Sequence, residues 1–321
     1  MKRQSSPLGR HAVRGLSLIE LMVSLTIGLI LMVAIVSAYL GSAGASRMAE
    51  AQGRINEDAQ AALTILTQQL RMAGNNPMQT GYTSAQPTNP VFVTSTYMLR
   101  GCDGTFSNIT TAADIASLTC TAGTNALPDS LAVSYEADKF NTVPTSTGVA
   151  TDCLGQGIAS TAATVDKSNG TISVPTAVTY TVADNRFYIG TSGVITSPSL
   201  YCKGNGGAQQ PMVENVEDMQ FRYGTAPTTG TVTVAGYLTA DEISNSALSA
   251  LPDDPSRWSR TVTVRVCVLI RSEQPVVSDA ASAKYFRCFA ANGEDPVDAP
   301  DRRLRRAYYT TVVMRNRMPP P

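Results

Sequence analysis

The sequence predicts an α+β fold in which one long N-terminal helix packs on an antiparallel, β-rich globular domain with disulfide-pinned loops. Three observations predict it. Leu21 to Leu40 is a run of twenty residues without a charge. Residues 55–73 repeat apolar side chains at spacings of three and four, and much of the chain after Thr171 alternates apolar and polar side chains with a period of two. All six cysteines lie beyond the apolar run.

The helix begins as a membrane anchor. At about 1.5 Å per residue, an uncharged run of this length spans roughly 30 Å, the thickness of a bilayer core. Lys2, Arg3, Arg10 and Arg14 precede the first acid, Glu20, so the positive-inside rule keeps the head cytoplasmic and sends the remainder across the membrane. A cleaved secretory signal has an apolar core of about 7–15 residues, shorter than this one. An uncleaved anchor does not explain Glu20, because a carboxylate entering hydrocarbon must be neutralised, paired or held at the interface.

Further along, Ile55, Ala59, Ala62, Leu66, Leu70 and Ala73 form one stripe. Gly74, Asn75, Asn76 and Pro77 supply the stop. The expectation is a single helix from about Leu18 to Ala73, apolar all round in its first half and amphipathic in its second. Gly28, Gly41, Gly44 and Gly53 each lower helix propensity by roughly 1 kcal/mol. They permit bending or close packing between neighbouring helices, or are simply tolerated, as glycine is in membrane helices.

Residues 78–130 are rich in Thr, Ser, Ala, Asn and Gly and read as loops, with a strand at Val91–Leu99 and a loop over 100–108. Leu131, Val133 and Tyr135 alternate as in a half-buried strand. Residues 141–170 read as loop, with a turn at 166–170. Two strands then follow, joined through Ala183-Asp184-Asn185, and a short strand at Leu200–Cys202. Met219, Phe221 and Tyr223 oppose Asp218, Gln220 and Arg222 on one strand, and another strand covers 229–239. Residues 241–258 are a short helix or a covering loop. Over 260–272, Val262, Val264, Val266, Val268 and Ile270 share one face, with Arg265, Cys267 and Leu269 on the other. An acidic loop around 292–295 precedes a last strand at 305–317, and Pro319–Pro321 cannot continue a ladder.

Composition removes several kinds of chemistry. His11 is the one histidine, so nucleophile pairs, zinc sites and base schemes built on histidine lack their central residue beyond the head. No phosphate-cradling glycine motif occurs, and no enzymatic activity or cofactor is expected. Asp166–Gly170 and the acidic turn at 292–301 contain oxygen ligands but complete no calcium-binding loop and read as solvated turns; no metal is expected. Arg302, Arg303, Arg305 and Arg306 read as the solvated start of a strand rather than a nucleic-acid site.

Cys102, Cys120, Cys153, Cys202, Cys267 and Cys288 are an even number in an exported chain, which suggests disulfides. Sequence alone does not choose among the fifteen full pairings. The local pairs Cys102–Cys120 and Cys267–Cys288 would close short loops and are expected first.

Gly15-Leu16-Ser17-Leu18-Ile19-Glu20, followed by the uncharged helix, resembles the prepilin signature of type IV pilins and type II secretion pseudopilins. The resemblance implies cleavage after Gly15 by prepilin peptidase, N-methylation of Leu16 and retention of Glu20, although that family most often has Phe where this chain has Leu16. A leader at 1–15 would precede a helix at 16–73 with its anchor at 16–40, and then an extracytoplasmic pilin head at 74–321 with room for an inserted loop-rich lobe at about 78–170. Cleavage would create a positive amine on Leu16, which Glu20 of the same or a neighbouring subunit could meet at low dielectric. Loss of the four leader cations from a chain with 25 basic and 25 acidic residues leaves a net charge of −4.

Three later blocks, residues 213–224, 264–272 and 305–317, resemble the PilW family of type IV minor pilins and, more distantly, GspJ-like minor pseudopilins of type II secretion. This resemblance implies a subunit that takes part in initiating pilus assembly and enters the pilus or its tip complex. The implied partners are other minor pilins, the major pilin, a large tip adhesin, the inner-membrane assembly platform and prepilin peptidase, with no nucleic acid. The implied location is the inner membrane with the C-terminal domain in the periplasm, then the pilus at the cell surface. A pseudopilin of a type II secretion system is the alternative.

Overall fold

Helix α1 covers Leu18–Met72. The structure, a computed structural model, describes residue 15 and residues 17–76, 97–121, 127–168, 173–228, 231–244 and 254–317. It divides after Glu50 into two units. In the first, every described residue from Gly15 to Leu40 is exposed, as an apolar surface meant for lipid or other helices must be.

In the second unit α1 changes character. Ile55, Ala59, Ala62, Leu66 and Leu70 are at most 2% exposed, and Ala73 follows them into the core. Burial of each large member contributes about 1.5–3 kcal/mol, while the alanines permit close approach. Gly74 ends the helix at φ 69°, a left-handed conformation that favours glycine. Its N–H donates to Ser134 O at 2.9 Å, and the Asn75 N–H returns to Met72 O at 2.8 Å.

The remaining elements are β1 (Leu99–Cys102), β2 (Ser130–Glu136), β3 (Thr161–Ser168), β4 (Ser173–Tyr180), β5 (Val182–Gly190), β6 (Ser199–Lys203), β7 (Gln210–Glu214), β8 (Val216–Thr225), β9 (Gly236–Leu238), α2 (Ala240–Ser244), α3 (Asp254–Trp258), β10 (Thr261–Pro275), β11 (Lys284–Tyr285), β12 (Val297–Asp298) and β13 (Arg303–Val313). Two antiparallel sheets carry the fold, a five-stranded one ordered β1-β2-β5-β6-β7 and a four-stranded one ordered β13-β10-β8-β9. The strands β3 and β4 pair with each other, as do β11 and β12. Inward residues of both large sheets join the α1 stripe in a single core cluster.

The four-stranded sheet follows its sequence pattern. Val264, Val266, Val268 and Ile270 on β10, with Met219, Phe221 and Tyr223 on β8, are fully buried. The five-stranded sheet departs from expectation. All of β2 is buried, so it is not the half-buried strand that its alternation implies. The cause is a segment laid over the face away from the core. Arg100 on β1 and Arg186 on β5 both lie across from Ala132 on β2. Arg100 Nη1 donates to Ile115, Ala116 and Leu118 carbonyls at 3.2, 3.1 and 2.6 Å. Arg186 Nη1 donates to Ile109 and Ala112 carbonyls at 2.9 and 3.0 Å, and Cys102–Cys120 fastens the same segment.

Other boundaries also move. Residues 91–96 of the expected Val91–Leu99 strand lie outside the described residues, and the observed strand takes in Arg100–Cys102, expected as loop. Residues 161–168, also expected as loop, form β3; of the expected 229–239 strand, residues 229–230 lie outside the described residues and only Gly236–Leu238 of the remainder is strand. Ala183-Asp184-Asn185 is not a turn; it lies inside β5, and the break falls at Thr181. Both α2 and α3 arise within the stretch read as helix or covering loop, and Pro319–Pro321 lies outside the described residues.

The two sheets meet at a seam. Asn215, at φ 61°, turns the chain from β7 into β8. Just before β2, Asp129 accepts the Phe221 N–H at 2.8 Å and donates its own N–H to Met219 O at 2.7 Å. Burial pushes the Asp129 carboxyl up to about 8; the Phe221 hydrogen bond opposes this, and Asp103 and Asp218 add to it. Gly101 is required here because a Cβ would run into the Tyr223 hydroxyl, where the Tyr223 ring meets Trp258 edge-on at 4.8 Å.

Candidate functional site

The first candidate site is the junction at the start of α1. Gly15 and Ser17 are exposed and nonhelical, and Leu16 lies outside the described residues. The Leu21 N–H donates to Ser17 O at 3.1 Å, closing the first turn. Glu20 stands in that turn, where the positive end of the helix dipole favours a carboxylate. Beyond it, Ser24 donates to Glu20 O at 2.5 Å, Thr26 to Val23 O at 2.8 Å and Ser37 to Val33 O at 2.5 Å. These hydroxyls satisfy themselves within the helix, which lets them enter hydrocarbon without water. A Cβ added at Gly28, Gly41 or Gly44 would meet nothing within 4 Å, so packing inside this chain does not require those glycines.

The second candidate site is the amphipathic stretch of α1, fixed to both sheets. Asn185 Nδ2 on β5 donates to Gln69 Oε1 at 2.8 Å and to the Tyr135 hydroxyl at 3.2 Å. From β13, the Tyr308 hydroxyl bonds Asn56 Oδ1. Asn316 Nδ2 reaches the Arg71, Met72 and Ala73 carbonyls at 3.0, 3.3 and 3.3 Å. It satisfies acceptors that a helix end otherwise leaves open. Sequence reasoning missed Asn316 because no local pattern links it to a helix more than 240 residues away. It missed Arg100 and Arg186 for the same reason.

The cysteines form three disulfides, Cys102–Cys120, Cys153–Cys202 and Cys267–Cys288, with Cα separations of 5.7, 6.5 and 5.7 Å. Among the described residues, no group of three His, Cys, Asp or Glu side chains is placed to hold a metal ion. In the acidic turn, Glu294 accepts the Ala291 N–H at 2.8 Å and Gly293 sits at φ 86°. Asp166 lies in β3.

An apolar N-terminal helix that continues as a buried amphipathic stripe in an antiparallel, disulfide-linked head is the architecture of a pilin-like subunit. Residues 10–36 match the prokaryotic N-terminal methylation motif, and residues 186–316 match the type IV pilus-assembly protein W family. Together the two matches support a PilW-type minor pilin related to the type IV pilus. No curated protein and no solved structure matches it. Among the described residues one helix is long and apolar enough to cross a membrane, which with the pilin motif fits a single-pass, membrane-anchored protein, and the family match suggests interaction with other pilus components. The family match begins inside β5 and takes in the whole four-stranded sheet; the three blocks at 213–224, 264–272 and 305–317 fall largely on β8, β10 and β13, neighbours in that sheet.

Proposed function

We propose that this minor pilin is inserted in the inner membrane with its head in the periplasm, is cut after Gly15 and methylated on Leu16, and helps to initiate pilus assembly before entering the pilus or its tip complex. The observation that carries this reading is Glu20 in the first turn of α1, at the head of its exposed apolar half and shortly after Gly15. A carboxylate in that position gains most when a cation answers it at low dielectric, and the amine freed on Leu16 of a neighbouring subunit is such a cation. The proposed partners are other minor pilins, the major pilin, a large tip adhesin and the assembly platform, with prepilin peptidase as processing enzyme. The Cys153–Cys202 and Cys267–Cys288 bridges suit the oxidising periplasm.

Mass spectrometry of the N-terminal peptide, in cells with and without prepilin peptidase, tests the reading. A methylated peptide starting at Leu16 is expected only in competent cells, and an intact leader there would overturn it. Glu20→Ala should leave membrane insertion intact and lower recovery in sheared pili roughly tenfold, the equivalent of about 1.4 kcal/mol. Unchanged recovery would remove the charge-pair account.

A further inference from the structure

We infer that the outer face of the four-stranded sheet is a docking surface for an acidic segment of another pilus subunit, with Arg222 and Arg265 as its paired anchors. Arg265 on β10 lies directly across from Arg222 on β8, and from Thr311 on β13. Like charges directly opposed across a ladder are destabilising. Among the described residues neither guanidinium has an ion pair, and the one protein acceptor they share between them is Phe221 O, 2.8 Å from Arg222 Nη1. Each instead rests on an aromatic ring, Arg265 at 3.8 Å from the Tyr237 centroid and Arg222 at 5.1 Å from that of Phe289. A ring occupies the face of a guanidinium and leaves its N–H edge free for an oxyanion.

The aromatic frame is itself built in. The Cys267–Cys288 bridge fixes the preceding residue to the sheet, and Phe289 is held at φ 54°, a conformation that bulky side chains rarely adopt. Phe289 meets Tyr309 edge-on at 5.7 Å, and Tyr309 remains 53% exposed. Thr311 and Val313 continue the exposed surface along β13, the sheet's edge strand. Arginine and tyrosine with no lysine is the composition of a protein-interface centre.

Charge decides the occupant. Carboxylates on or beside β8 are engaged locally: Asp129, which feels the Arg222 charge, accepts the Phe221 N–H, and Asp218 accepts from the Met219 N–H and from Gln220. On the five-stranded sheet the corresponding cross-sheet arginines are answered by carbonyls of residues 109–118 and, for Arg186, by Asp184 at 2.8 Å. For Arg222 the Phe221 carbonyl alone does this, and for Arg265 no described group does, so the further acceptors come from a partner. Two opposed cations call for negative charge rather than neutral carbonyls alone, which specifies Asp or Glu side chains.

The inference rests on the proposed function, since it takes the partner from the same assembly. The test places a photo-crosslinking amino acid at Thr311 in the full-length chain, in cells that assemble pili, and identifies the cross-linked peptides. A peptide containing Asp or Glu from another pilus subunit is expected, with its yield lowered roughly tenfold by Arg222→Glu with Arg265→Glu, as for loss of an interface anchor. Arg265→Gln alone, at an exposed position, should lower it less, and formation of Cys267–Cys288 on nonreducing gels checks folding. Cross-links only to lipid, to nucleic acid or to a second copy of this chain would overturn the inference. So would a processed chain that enters pili with no cross-link and with incorporation unaffected by the charge reversals. An unprocessed leader would instead mark failure of the proposed function.

Discussion

In the five-stranded sheet, Arg100 and Arg186 flank Ala132 and are filled by carbonyls of the segment that Cys102–Cys120 holds over them. In the four-stranded sheet, Arg222 and Arg265 are cross-strand partners that each rest on an aromatic ring, and among the described residues neither has an ion pair. The same residue type in the same kind of row is structural in one sheet and available in the other. What separates the two is where the chain spends its loops, because a buried guanidinium is tolerated only when its donors are met.

Mutations that treat the two rows alike should therefore give different results. Arg186→Ala is expected to cost about 3–5 kcal/mol in chemical denaturation, because the Arg186 side chain is 5% exposed and its loss strands Asp184 and two carbonyls. A cost below about 1 kcal/mol would mean that the cover holds without its clamp. At the seam, Asp129→Asn should flatten the pH dependence of stability. The folded carboxyl titrates near 8 against an ordinary 3.8, so its contribution is complete below about pH 4 and is lost as the pH rises to about 8 and burial opposes ionisation. The variant should gain a few kcal/mol relative to the parent at pH 9 and little at pH 4; parallel profiles would place the titration elsewhere.

Asn215→Ala should cost about 1–2 kcal/mol in thermal or chemical melts, since alanine tolerates the left-handed corner between the sheets less well, whereas Asn215→Gly should be close to neutral. The smallest effect belongs to Arg265→Ala, within about 0.5 kcal/mol and tilted towards stabilisation through relief of the opposed charge. A large loss there would show that Arg265 supports the fold and would erase the contrast with Arg186.

Legibility followed the same division. The alternation on β8 and β10 could be read because one face of each strand meets the core, so period two survives in the sequence. The α1 stripe and its stop at Gly74 were legible for the same local reason. In the other sheet the pattern was overwritten by distant partners. Ala183-Asp184-Asn185 carries turn-forming residues, yet Asp184 grips Arg186 while Asn185 binds Gln69, Tyr135 and the Cys153 N–H, which holds the segment extended. The arginine row on the four-stranded sheet was visible only as polar residues alternating with valine or aromatic ones; that Arg222 faces Arg265 is a matter of register, which sequence does not state.

The end of α1 has a mechanical consequence. Gly74 and Asn75 hydrogen-bond β2 through Ser134 and Glu136, while Asn316, just past β13, grips the last three carbonyls before Gly74. Tension drawn along the amphipathic part of the helix is thus divided between two sheets at one point, and neither has to peel before the other shares the load. A subunit hauled by its helix would resist unravelling at that knot, and Asn316→Ala should lower the unfolding force without changing the anchor.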